Sequence, residues 1–386
     1  MSDAMATSLQ TCPRCGEEVP DGANFCEACG TQLGEVTEQQ AQTGLKVEGS
    51  ESSPISRPTH LLTDTGEPAT RRPCAECGGT VGEDLYCEQC GTKAPSEREH
   101  FRETPASWVA GVCDRGAKRT RNEDAIATVA SEAPGERCVL VVLDGVSSSV
   151  DSDVASLAGA RAARDVLRVP TGHGLGTPES REAAVRKALT DAAAAAQGAI
   201  VAHTASDTES PASATFTCVL VEAEPEGPVL WHANIGDSRA YWVPDTGPAV
   251  QLTRDDSAAE ALIAAGMDAE EAHRSSQAHA ITRWLGRDTE DVVPTIGRLP
   301  LIEDGWALVC SDGLWNYAPT PAEMADQVHA AGRAHPDDVE QVALALVQWA
   351  VQAGGHDNIS VAIARMGARP VGETGSQTAD PADPEE

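Results

Sequence analysis

Long apolar runs are missing from this 386-residue chain. Its longest, such as 138–143, fall far short of the roughly 20 residues that a membrane-spanning helix needs, which excludes a membrane span. Basic residues are also scarce: 28 Lys and Arg stand against 60 Asp and Glu, a net charge of −32. So acidic a chain repels phosphate backbones and anionic lipid, which argues against nucleic acid or a membrane surface as partner. No apolar leader with a cleavage signal opens the sequence, and a cytoplasmic location is the expectation.

Cysteine, by contrast, is plentiful, with 12 residues. Eight of them form Cys-x-x-Cys pairs: Cys12 with Cys15, Cys26 with Cys29, Cys74 with Cys77, and Cys87 with Cys90. Without an export signal these read as metal ligands rather than as a disulfide framework. The segments 12–30 (CPRCGEEVPDGANFCEACG) and 74–91 (CAECGGTVGEDLYCEQCG) share one pattern and form an internal repeat. A glycine after each second cysteine permits the tight turn that points two thiolates at one ion. Four thiolates leave no water position, so each cassette is expected to hold one structural Zn²⁺. Both cassettes resemble the zinc-ribbon family over these short segments. Their net charges are −3 and −4, which suits contact with protein better than with nucleic acid. Of the remaining cysteines, Cys138, Cys218 and Cys310 sit in strand-like apolar runs and read as buried free thiols.

Residues 31–73 are rich in Thr, Glu, Gln, Ser, Pro and Gly, without apolar periodicity; such a composition cannot bury enough surface to offset chain entropy. The expected organisation is a zinc ribbon at 10–32, a disordered linker at 33–72, a second ribbon at 73–93, a short linker at 94–105, one large domain at 106–366 and a disordered tail at 367–386. Inside the large domain, β-rich runs fall near 107–113, 125–130, 138–143, 214–222, 228–235, 239–243, 306–310 and 358–365. Helical stretches fall at 152–168, 179–202, 257–265, 268–278, 321–332 and 337–353. Strands near both ends with paired helices between them predict an α+β sandwich rather than a parallel βαβ wheel.

Four Asp-bearing motifs lie at or near strand ends: RNEDA (121–125), VVLDGV (141–146), LVCSDGLW (308–315) and GGHDNISV (354–361). Asp-Gly and Asp-Asn are also ordinary turn signals. A domain of antiparallel hairpins can nevertheless bring distant loop carboxylates to one rim, where several oxygens would bind a hard divalent ion.

The order and wording of these motifs, together with GAKRTRNEDA, VLDGVSSSVDSDVAS, SATFTCVLV, NIGDSRAYW, LTRDDS and ITRWLG, resemble the bacterial branch of the PPM family of metal-dependent serine/threonine protein phosphatases (type 2C). The resemblance covers most of 106–366. It implies an αββα sandwich, two antiparallel sheets flanked by helices, with two Mn²⁺ or Mg²⁺ at one end. By position it implies that Asp144 bridges both metals, that Gly145 offers its carbonyl, and that Asp312 and Asp357 complete the first metal's ligands. Glu123 and Asp124 would act largely through metal-bound water, and Arg119 would bind the substrate phosphoryl group. Asp237 matches a residue that helps bind a third metal in bacterial members, and reads equally as a turn aspartate. Val146 stands where animal members place a histidine that may protonate the leaving alcohol, and Ser147 and Ser148 replace the usual glycines. His356 reads either as a proton shuttle or as an exposed bystander. The implied activity is hydrolysis of phosphoserine and phosphothreonine in proteins, opposing a serine/threonine kinase, with the ribbons for docking or regulation. The alternative is a phosphoprotein-binding pseudophosphatase, against which the intact acidic set argues. Oligomeric state is left open.

Overall fold

The computed structural model describes residues 9–11, 18–20, 79–82, 86–91, 98–146, 149, 151–172, 176–225, 227–275, 277–278 and 280–367. The expected ligands Cys12, Cys15, Cys26, Cys29, Cys74 and Cys77, the linker 33–72, Ser147, Ser148 and the tail beyond Gly367 lie outside the described residues. The chain divides into two units, Met1–Thr59 and His60–Glu386. In the first, β1 (Leu9–Thr11) pairs antiparallel with β2 (Glu18–Pro20), Gln10 opposite Val19.

In the second unit the apolar runs become strands in hairpin order. β3 (His100–Ala106) and β4 (Val109–Asp114) form the first hairpin, and β5 (Ala125–Ala130) and β6 (Arg137–Leu143) the second. Two helices follow, α1 (Ser152–Leu167) and α2 (Pro178–Ala202). The start of α2 is set by Thr177, whose side chain accepts from the Ser180 amide, and by Pro178 in the first turn, where its missing N–H costs nothing. Next come β7 (Ser213–Ala214), β8 (Phe216–Glu224), β9 (Gly227–Ile235), β10 (Arg239–Pro244) and β11 (Val250–Gln251). The short helices α3 (Ala258–Ala264) and α4 (Ala269–His273) lead to β12 (Leu285–Gly286) and β13 (Thr295–Pro300). The chain closes through β14 (Gly305–Cys310), α5 (Asp312–Trp315), α6 (Pro321–Ala334), α7 (Val339–Ala353) and β15 (Ile359–Met366).

One sheet has the order β13-β9-β8-β6-β5 and the other β11-β10-β14-β15-β4-β3, with all their pairs antiparallel. Strand side chains alternate between faces, so each sheet builds two cores. Val139, Val141 and Leu143 face α1 and α2 together with Leu189 and Ile200. Leu308, Val361 and Ile363 face α6 and α7 with Val328 and Leu346. Leu140, Val142, Val219, Val309 and Ala362 fill the space between the sheets. This is the αββα sandwich expected from the sequence.

Two strands lie where the sequence carries no apolar run. β3 falls inside the stretch 94–105 read as linker, so the sheet begins at His100 rather than at 106. As an edge strand it packs only partly and needs no continuous apolar face. β13 is the edge of the other sheet for the same reason. Trp231, Trp306 and Trp315 are core residues. Cys113, Cys138, Cys218 and Cys310 are fully buried. Burial pushes the thiols of Cys113, Cys138 and Cys218 up to about 12, which leaves them protonated and inert.

His232 on β9 is buried, and its Nδ1 has no partner. Burial pushes its pKa down to about 4. Between that value and the unfolded value of about 6.5, the unfolded chain binds a proton that the folded chain refuses, so stability falls as pH falls through this window. Urea unfolding should therefore show a loss of about 2 kcal/mol at this site between pH 7 and pH 5. His232→Gln should flatten that dependence; an unchanged pH profile would remove His232 as its cause.

Candidate metal-binding active site

The four aspartate motifs meet at one end of the sandwich, each beside the end of a strand. Asp144 follows β6, Asp312 opens α5 after β14, Asp357 precedes β15, and Asp124 precedes β5. The Asp144 backbone is locked from both sides: its amide donates to Thr215 Oγ1 at 2.9 Å, and its carbonyl accepts from the Thr215 amide at 2.9 Å. Asn316 Nδ2 donates to Asp312 Oδ2 at 3.2 Å. Asn358 stitches two motifs together. Its Oδ1 accepts from the Glu123 amide at 2.8 Å, and its Nδ2 donates to the carbonyls of Arg115 and Arg121 at 2.8 and 3.0 Å.

Two glycines make this convergence sterically possible. A Cβ at Gly145 would stand 2.4 Å from the Glu123 carbonyl oxygen, and one at Gly313 would stand 1.9 Å from that of Asn358. Any side chain there would push the loops apart.

Asp124, Asp144, Asp237, Asp312 and Asp357 share one electrostatic neighbourhood. Burial, followed by the charges of Asp124, Asp312, Asp237 and Asp357, holds the Asp144 carboxyl well above the usual carboxylate range. Burial pushes Asp124 up to about 7, opposed by the Ser311 hydroxyl and reinforced by Asp357 and Asp312. Asp312 rises to about 6 through burial and Asp357. Asp237 rises to about 7 through burial, Asp312 and Asp255. Asp124 Oδ2 is buried without a hydrogen-bond partner. An all-oxygen, mutually repelling, partly unpartnered carboxylate set fits a hard divalent cation and does not fit zinc. Among the described residues, no group of three or more His, Cys, Asp or Glu side chains is arranged, as it stands, to hold a metal ion.

Glu123 is not gathered into this set. Its carboxylate accepts from Arg121 Nη2 and, at 2.6 Å, from Ser152 Oγ at the start of α1. Arg119 lies at the mouth, and its fork donates to both Asp357 oxygens, Nε to Oδ1 at 2.8 Å and Nη2 to Oδ2 at 2.5 Å. Asp237 sits in the turn between β9 and β10, where its carbonyl accepts from Trp315 Nε1 at 2.9 Å. The Trp315 ring is covered by Arg239 at 3.6 Å, which pairs with Asp255 at 2.8 Å. His356 is exposed, and its amide donates to Tyr317 Oη at 3.1 Å. The Val146 amide donates to the Ser213 carbonyl at 2.9 Å. Sequence reasoning missed Asn358, Arg121 and Ser152. Asn358 was visible as the residue after Asp357, but a turn asparagine and a loop-bridging one look alike in sequence.

A family model for protein phosphatase 2C matches residues 115–349. The chain belongs to the protein phosphatase 2C family. The serine/threonine protein phosphatase PstP of Mycobacterium tuberculosis is 30% identical over 267 residues, 69% of this chain and 46% of that protein. The protein phosphatase PhpP of Streptococcus pneumoniae is 36% identical over 137 residues, 35% of this chain and 52% of PhpP. This chain thus spans about half the length of these curated relatives. The fold is that of the S. agalactiae serine/threonine phosphatase, at TM-score 0.55 and 23% identity, covering 69% of this chain and all of that one. A second family model, for a zinc-ribbon domain, matches residues 11–33.

The crowded carboxylates make a stability prediction. With its pKa raised from 3.8 to about 7, Asp124 binds a proton in the folded state at pH values where the unfolded chain has released it. Its ionisation therefore costs stability as pH rises through that window. In EDTA at pH 8, Asp124→Asn should raise stability by about 1–3 kcal/mol, and at pH 4 by little. Thermal unfolding at the two pH values checks this; a loss of stability at pH 8 would contradict it.

Proposed function

We propose that this chain hydrolyses phosphoserine and phosphothreonine monoesters in proteins, using two Mn²⁺ or Mg²⁺ held at the aspartate rim. The observation that carries this reading is the convergence of Asp124, Asp144, Asp312 and Asp357 from separate loops onto one buried, mutually repelling site. Two divalent cations, when bound, supply activation of water at neutral pH and neutralisation of phosphoryl charge.

The residues divide the remaining work. Asp144, with its backbone pinned by Thr215, is suited to bridge the pair, with the Gly145 carbonyl beside it. Asp312 and Asp357 complete one side, and Asp124 supports the other. Glu123 serves through its ties to Arg121 and Ser152, holding its loop against α1. Asp237 is placed to assist a further cation through its proximity to Asp312. Arg119, about two-fifths exposed at the mouth, presents a planar fork that matches phosphoryl oxygens as well as it matches Asp357. Val146 carries no transferable proton, so the leaving alcohol would take its proton from water or from another group. The buried, protonated cysteines rule themselves out as nucleophiles. The substrates are phosphorylated proteins, the opposing activity is a serine/threonine kinase, and the location is cytoplasmic. Among the described residues no helix is long and apolar enough to cross a membrane.

The cassettes serve as structural zinc modules that dock or regulate. In the described part of the second, Val81 bridges Cys87, and the Gln89 amide donates to Cys87 Sγ at 3.4 Å. An amide aimed at sulfur stabilises a thiolate, as a metal ligand requires. A phosphoprotein-binding pseudophosphatase is the second reading, favoured by the engagement of both Asp357 oxygens with Arg119.

Hydrolysis of a phosphothreonine peptide with Mn²⁺, Mg²⁺ or EDTA separates the two. Turnover should require the cation, and Asp144→Ala should lower kcat/KM by on the order of 10²–10³-fold. Peptide binding without turnover would establish the pseudophosphatase instead. Metal analysis of the intact chain should find about two zinc per molecule from two four-thiolate cassettes; oxidised, zinc-free cysteines would refute the structural role.

A further inference from the structure

Arg98 stands upstream of the family-model match at residues 115–349, just before β3, and inside the stretch expected to be a linker. Its guanidinium is nonetheless turned into the domain. Nη2 donates to the carbonyl of Asp124, to the carbonyl of Asp153 in the first turn of α1 at 3.1 Å, and to Ser156 Oγ at 3.3 Å. Nε donates to the same Asp153 carbonyl at 3.3 Å. The contact is reciprocated, because Asn122 Nδ2 donates to the Arg98 carbonyl at 3.2 Å. Phe101 on β3 packs under the guanidinium, 5.5 Å from ring centre to Cζ. Ser156 also donates to the Glu123 carbonyl at 2.5 Å. The acidic loop 121–124 is therefore held to α1 through Ser152, Ser156 and the Arg98 bridge.

We propose that Arg98 is a positioning residue of the aspartate site: its guanidinium ties the Asp124 carbonyl to the first turn of α1, so that the segment just before β3 sets where Asp124 presents its carboxylate. The proposal rests on the reading of the aspartate rim as a divalent-metal site. A guanidinium suits the task because several donors in one fixed plane can bridge carbonyls belonging to different elements. Besides Arg98, the Asp124 carbonyl accepts from the weak thiol donor Cys113 Sγ, at 3.5 Å. Without the guanidinium, Asp124, buried among other carboxylates, would be free to relax away from them. Metal affinity suffers first from such a shift, because the ligand geometry and not the substrate contact has moved.

The test uses the full chain with Arg98→Ala, Arg98→Lys and, as a control, Arg102→Ala, whose parent residue pairs with Glu340 away from the site at 2.7 Å. Mn²⁺ binding is measured by titration calorimetry, and kcat and KM are measured on a phosphothreonine peptide. Arg98→Ala should weaken Mn²⁺ binding by about 10- to 100-fold and leave the peptide KM at saturating Mn²⁺ within about twofold. Arg98→Lys should fall between wild type and Arg98→Ala, since an ammonium keeps the charge and donors but lacks the fixed planar fork that spans both carbonyls. Arg102→Ala should bind Mn²⁺ as wild type does. A folded Arg98→Ala with the wild-type Mn²⁺ isotherm would overturn the proposal, as would a wild-type chain that binds no Mn²⁺ at this site. If Arg98→Ala does not fold, Arg98→Lys decides: wild-type affinity overturns the proposal and weakened affinity supports it. A wild-type chain that never turns over peptide, yet loses Mn²⁺ affinity on Arg98 substitution, would refute the phosphatase reading and leave the positioning role standing.

Discussion

Repulsion among buried carboxylates is the constraint around which this domain is arranged. Burial raises the pKa values of Asp124, Asp144 and Asp312, and the charges of neighbouring carboxylates, Asp357 among them, add to it. Such a set does not assemble through its own contacts; left alone, the loops that carry it would separate. Everything that holds them in place has to come from elsewhere in the fold.

The holding elements are unequal in kind. The sheets supply the rigid frame, because the three apolar cores fix β6, β14, β15 and the start of β5 relative to one another. Polar stitches then set the loops at finer scale: Thr215 on Asp144, Asn358 across two motifs, and Ser152 and Arg121 on Glu123. Gly145 and Gly313 contribute by having nothing to place between approaching backbones. Arg98 joins the Asp124 and Asp153 carbonyls from the segment just before β3.

The chain carries two kinds of potential metal donor, kept apart in sequence. Thiolate pairs are confined to residues before 91, while the hard oxygen donors lie beyond 120. Soft and hard ligands favour different ions, so the two donor sets differ in the metals they would prefer. The four cysteines of the large domain do not blur this division, since burial keeps them protonated.

Much of this was legible in the residues. Strands rich in Val, Leu, Ile and Ala announce themselves when both faces are buried, as in VLVV of β6 and ISVAIA of β15, and Thr177-Pro178 marks where α2 begins. The aspartate motifs were legible because short-range wording at strand ends survives without knowledge of the fold. The edge strands β3 and β13 were not, because a half-exposed strand needs no apolar pattern. Nor were the partners of Glu123 and Arg119, or the reach of Arg98: a charged side chain's sequence neighbourhood does not say which of several polar groups it will meet across space. The sequence by itself determined which donors are available and in what order they stand along the chain. Only the tertiary structure decided which carboxylates share a site and which are turned away to an arginine, because that depends on which strands pair and how closely their loops can approach.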